Sequence, residues 1–375
     1  MVTMTGYKRM GAFAELFATL FLSLGLGSCG SSGGAASDPG EITTETPLLN
    51  PDGTVAAHGW ARGPLMQYDR SLVQQERLPN LREWEYYAVF TPDFAIGLTL
   101  ADLRVISFGT LTLEDYSTGE IHSAVFLADG DALDFPPTPF ENTLFEADNG
   151  SIEYRFDETG RAITVISGQV GAEDRMEAHL QLSDSRSTES IAVVHTFDEP
   201  GQFFYENKRV SMPATGYVQA GDMRYELPEG QSFGVLDWGR GAWPSEVRWE
   251  WGHFTGRTDG HMVGINLGTV FGNDTPGTAD AVIVDGTLHK ISRSQWDYDL
   301  NDLMAPWHFT STDHRIDLTL TPDFDDSTTI NLGSFYTLTR WKVHGEIRGT
   351  AQLDDGSTLQ IEGVRGAAEY VEIIW

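Results

Sequence analysis

The chain has 375 residues, with 24 Lys and Arg against 55 Asp and Glu for a formal net charge of −31. That length exceeds what one compact core ordinarily supports, so two domains or one large β unit are expected. The acidic balance argues against a nucleic-acid partner, whose phosphates need a basic face, and by itself assigns no function.

Residues 1–28 read as an export signal: Lys8 and Arg9 form a basic start, an apolar run follows over 11–27, and Leu26-Gly27-Ser28-Cys29 ends it. This ending resembles the lipobox of bacterial lipoproteins, in which the cysteine becomes the lipidated first residue of the mature chain. Cys29 is the only cysteine, so no internal disulfide can form. Residues 29–49 are rich in Gly and Ser at their start and read as a flexible tether. The resemblance implies lipid anchoring to a membrane of the bacterial envelope, at the periplasmic face of the outer membrane.

From residue 50 onward, apolar residues alternate or cluster in short runs, such as Tyr86-Tyr87-Ala88-Val89-Phe90 and Ile316-Asp317-Leu318-Thr319-Leu320. Asx-Gly pairs such as Asn149-Gly150 and Asp285-Gly286 separate them and suit hairpin turns, so the fold class is all-β and antiparallel. Trp84-Glu85-Tyr86, followed by Gly97-Leu98-Thr99-Leu100-Ala101, is echoed by Trp249-Glu250-Trp251 and Gly264-Ile265-Asn266-Leu267-Gly268. The offset from Trp84 to Trp249 is 165 residues, too long for a solenoid repeat. It predicts two tandem barrels side by side, over 50–205 and 206–375, divided near Glu199-Pro200-Gly201 and Met212-Pro213.

Residues 233–256 hold Trp238, Trp243, Trp249 and Trp251 among charged residues, a density suited to a pocket lining or a barrel seam. Asp237 and Arg240, in a glycine-flanked and turn-like string, are expected to converge as an acid and its partner or as a structural ion pair. A hairpin with its loop at 256–260 places Trp249, Trp251, His253, His261, Val263 and Ile265 on one face, and Arg248, Glu250 and Asn266 on the other. Lys208 reads as a surface charge or as a group reaching into the second barrel. No third ligand with metal-like spacing accompanies His253 and His261, so neither a metal nor a cofactor is expected.

Gly59-Trp60-Ala61-Arg62, Trp84-Glu85-Tyr86, the string Asp237-Trp238-Gly239-Arg240-Gly241 with Trp243-Pro244, Trp249-Glu250-Trp251-Gly252, and the closing Glu369 and Trp375 resemble the bacterial family called domain of unknown function 2804. More distantly, the pattern is similar to tandem lipocalin-like proteins that include carotenoid 1,2-hydratase and AttH-like proteins. That resemblance implies two calycin-type barrels. The expected function is binding of a hydrophobic or amphipathic small molecule, lipid- or isoprenoid-like, in a barrel cavity lined by Trp238, Trp243, Trp249, Trp251, His253 and Asn266. The alternative is cofactor-free hydration, isomerisation or cyclisation of such a ligand by Asp237, Arg240 and Glu250. A structural envelope protein is the third reading.

Overall fold

The computed structural model describes residues 40–167, 175–269, 271–273, 277–331, 333 and 336–375. The expected export signal, Cys29 and the first part of the tether lie outside the described residues. The rest of the tether is not free chain: Thr46–Pro47 pairs with Met66–Gln67, and Leu48 and Leu49 are buried.

Alternating side chains produce two curled antiparallel sheets, of 13 and 10 strands among the described residues. Met176–Leu182 alternates buried with half-buried positions, and Trp307–Ser311 alternates buried with exposed, as strands with one face on a core must. After the short strand Gly59–Ala61, the first sheet runs through successive hairpin strands at Leu81–Phe90, Phe94–Asp102, Ile106–Asp115 and Ile121–Asp129. The second repeats this order at Glu246–Thr258, His261–Thr269, Ala281–Val284 and Thr287–Lys290. Each sheet ends with a strand that returns to the first of these hairpin strands: Phe233–Ala242 pairs with Leu81–Phe90, and Thr358–Ile374 pairs with Glu246–Thr258. The internal repeat is therefore a repeat of topology.

The division between the halves lies later in the chain than the sequence suggests. Phe203–Ala220 crosses the expected 205/206 boundary as one strand, and Phe233–Ala242 belongs to the first sheet. The change of sheet falls at residues 243–245. Glu199-Pro200-Gly201 lies between two paired strands, and Met212-Pro213 follows a β-bulge at which Ser211 takes φ 64°. Both local irregularities occur within a half.

Each sheet encloses its own filled core. Tyr205, Trp238, Phe126 and Phe145 occupy the first, and Phe254, Trp307 and Phe309 the second. A third cluster, including Ala88, Phe90, Val210, Val235 and Ile283, lies where the sheets face each other. Gly264 leaves room for the facing sheet; a Cβ there would stand 2.3 Å from Val210 Cγ2 and 2.4 Å from Ser211 Oγ.

Candidate functional site

A cavity of about 280 Å³ lies between the two sheets. The expected location inside a barrel is corrected, because side chains fill both interiors. Trp84, Phe204, Trp243, Trp249, Trp251 and Phe271 form much of its wall. Trp84 and Trp243 meet edge to face with centroids 5.3 Å apart, and Phe271 stands edge-on to both Trp243 and Trp249.

Asp237 and Arg240 do not converge. Phe233–Ala242 is a strand, so residues three apart point to opposite faces. Arg240 enters the first core, where it donates to Glu85 Oε1 at 3.0 Å and to the carbonyls of Trp84, Gly239 and Pro136. Its guanidinium lies 4.1 Å from the Trp238 ring. Trp238 is fully buried in that core, so neither residue borders the cavity.

Asp237 does border the cavity, in a buried chain of ionisable groups. Lys208 Nζ stands 2.8 Å from Asp237 Oδ1 and 3.0 Å from Glu206 Oε2, and His195 Nε2 lies 2.9 Å from Glu206 Oε1. Lys208 is thus neither a surface charge nor a group of the second core. Burial raises the Asp237 pKa, an effect that Lys208 offsets only in part. Burial also opposes ionisation of Glu206, but Lys208 and His195 outweigh it and hold that carboxyl at about 2. Burial works against the Lys208 ammonium too, and the two carboxylates overcome it to raise its pKa.

The hairpin after Trp249 takes another register. Thr258 pairs with His261 across a two-residue turn in which Asp259 and Gly260 have φ of 50° and 85°. His253 then pairs with Asn266, so Asn266 shares the tryptophan face while Val263 and Ile265 turn into the second core. The shift is odd, and an odd shift exchanges faces. Trp251 Nε1 donates to Asn266 Oδ1 at 2.9 Å, and Asn266 Nδ2 donates to the Ala279 carbonyl at 2.9 Å.

His253 stacks on Trp251 at 3.9 Å between centroids, while Lys208 Nζ lies 4.2 Å from that same indole. Burial, followed by nearby cations beginning with Lys342, drives the His253 pKa well below normal, so the ring is neutral. Neither of its nitrogens has a hydrogen-bond partner among the described residues. His253 and Asn266 therefore support Trp251 rather than lining the cavity. Glu250 borders it, but its carboxylate accepts from Tyr298 Oη at 2.6 Å, and burial raises its pKa.

The second sheet supplies a matching wall that sequence reading missed. Lys208 stands opposite Asp237, and Asp237 opposite Tyr86; Lys342 stands opposite Glu369, and Glu369 opposite Trp251. Only the paired register exposes this equivalence. Lys342 Nζ and Arg340 Nη2 each lie 2.9 Å from Asp326 Oδ2, while Glu369 Oε1 accepts from Trp249 Nε1 at 2.9 Å. Behind them, Glu114, Asp326 and His344 offer ligand atoms within 4.8 Å of one another. The Lys342 ammonium already supplies a cation to this group. Asp326 is itself buried. Residues 230–234 have Gly-x-Ser-x-Gly spacing, but Ser232 leads into a strand and its hydroxyl donates to the Pro228 carbonyl.

Among solved structures, kievitone hydratase from Nectria haematococca is similar at 11% identity and a TM-score of 0.43, over 88% of this chain and 98% of that one. A putative AttH from Nitrosomonas europaea is similar at 12% identity and a TM-score of 0.44, over 79% and 92% of the respective chains. CghA is similar at 13% identity and a TM-score of 0.48, over 79% and 88%. No curated protein matches the chain. Residues 39–375 match the family described as Domain of unknown function (DUF2804), and the chain belongs to that family.

Proposed function

We propose that the cavity between the sheets binds a hydrophobic small molecule and that Asp237 carries out a cofactor-independent proton transfer on it. The observation that carries this reading is the buried series His195, Glu206, Lys208, Asp237, which ends on an aromatic cavity wall. Binding alone calls for apolar surface and a few polar contacts. Burying four ionisable groups is costly and adds little net stability, whereas such groups suit acid–base chemistry.

In its protonated form Asp237 gives its proton to a substrate carbon or oxygen, and Trp84 stabilises developing positive charge through its ring face. The carboxylate then recovers a proton from a neighbouring substrate atom or from water, with Lys208 balancing its charge. Isomerisation, hydration and cyclisation all fit this exchange. The test is mass spectrometry of molecules that copurify with the native protein, followed by incubation with the compound found. Conversion by wild type that Asp237→Asn abolishes supports the enzyme; a ligand retained unchanged by both leaves a binding protein.

The membrane tether belongs to the same proposal and rests on residues 26–29. Cys29→Ser is expected to move the protein from the membrane fraction to the soluble fraction and abolish labelling by a fatty acid. Labelling that survives the substitution refutes the tether.

A further inference from the structure

The two halves place opposite charges at one equivalent position on the cavity wall. Lys208 is preceded two residues earlier by Glu206, whereas Lys342 is preceded by Arg340. Residues two apart share a strand face. The second sheet therefore presents a guanidinium where the first presents a carboxylate.

Arg340 is held by one arm. Nη2 donates to Asp326 Oδ2 at 2.9 Å and to the Asp326 carbonyl at 3.1 Å. Nε is buried without a hydrogen-bond partner, and Nη1 makes no hydrogen bond among the described residues. The side chain borders the cavity and is 29% exposed. Asp326 thus fixes the plane of a donor fork whose other donors are unused. Trp243 and Trp375 belong to the same wall, with their rings 6.1 Å apart. The nearby acids are engaged, Asp326 by two cations and Glu369 by Trp249.

The Nη1 arm, without a hydrogen-bond partner among the described residues, suits a ligand that brings an acceptor. We infer that Arg340 anchors a carboxylate on the substrate, which is therefore a hydrophobic acid whose apolar body extends along the tryptophan wall toward Asp237. The inference rests on the cavity reading proposed above and goes beyond it by naming the substrate class.

Cinnamate, cinnamyl alcohol and cinnamylamine share one apolar body and differ at its polar end, so calorimetric titration of the full chain with each provides the test. Wild type is expected to bind cinnamate about tenfold tighter than the alcohol, the scale of one charge-assisted hydrogen bond. Arg340→Gln is expected to remove that preference while the affinity for the alcohol is unchanged. Asp326 keeps Lys342 at 2.9 Å in this variant, and thermal unfolding checks that it folds. Arg340→Lys, which keeps charge but loses the fork, is expected to fall between the two. Equal binding of the three probes by wild type, tightest binding of the amine, or an equal loss for all three in Arg340→Gln overturns the inference and leaves the cavity reading standing. Binding of none of them by wild type overturns both.

Discussion

Glu85 and Glu250 occupy equivalent positions in the two halves and are neutralised differently. Glu85, inside the first sheet, meets Arg240 at 3.0 Å; Glu250 instead accepts a hydrogen bond from Tyr298 at 2.6 Å. The returning strands explain the contrast. Arg240 follows Asp237 by three residues, and the residue three beyond Glu369 is Glu372, which is exposed. The string Asp237-Trp238-Gly239-Arg240 thus does two jobs on two faces of one strand: Arg240 plugs an internal charge, and Asp237 faces the cavity. The cavity walls diverge as well, since Lys208 pairs with the acid on the returning strand, Asp237, whereas Lys342 pairs with Asp326. A duplicated scaffold here holds an acid on one side and a cationic anchor on the other.

The sharpest way to break this comparison is to neutralise the two equivalent acids in turn. Asp237→Asn is expected to lower turnover of the native ligand by about 10²–10⁴-fold, the usual contribution of a general acid or base. Glu369→Gln, whose amide oxygen still accepts from Trp249, is expected to change turnover by less than about tenfold. Equal losses refute the division of labour. Arg240→Met tests the other face: leaving Glu85 buried without its cation is expected to cost about 3–5 kcal/mol in denaturant unfolding. A loss below about 1 kcal/mol means that water reaches Glu85.

The smallest effect is a pH dependence. Burial pushes the Glu114 carboxyl up to about 7 from an ordinary 4.5, so folding favours its protonated form. Its contribution is present below 4.5 and is lost as pH rises through about 7. Glu206, held at about 2, acts in the opposite sense: its contribution is present above 4.5 and is lost as pH falls toward about 2. Melting temperature is expected to rise as pH falls from about 7 to 4.5, then to drop below that. Glu114→Gln, which mimics the protonated carboxyl, is expected to flatten the upper limb only. An unchanged upper limb in that variant assigns it to another group.

The strands, the all-β class and the repeat were legible because they depend on local alternation and turn chemistry. Faces were not, because they depend on register. The hairpin after Trp249 turns at Asp259-Gly260, an Asx-Gly pair of the kind that marked other turns, and centring the loop elsewhere moved Asn266 to the wrong face. The glycines beside Arg240 suggest a turn, yet they admit neighbours: a Cβ at Gly239 would stand 2.6 Å from Trp84, and one at Gly241 would stand 2.3 Å from the Phe203 carbonyl. The acid–lysine pairs were hidden because Lys208 and Asp237, like Lys342 and Glu369, meet only through strand pairing. That the sheets enclose the cavity between them follows from tertiary docking, which no local pattern encodes.

The returning strands also bear on the order of assembly. Asp237 and Glu369 sit on the strands that close each sheet, paired with first strands made far earlier in the chain. Pairings of such long sequence separation form late and slowly. Until Phe233–Ala242 pairs with Leu81–Phe90, the aromatic wall lacks Asp237 and the first half lies open at an unpaired strand edge, a state exposed to aggregation. Completion of the fold and completion of the site are the same event, so a truncated or stalled chain holds neither.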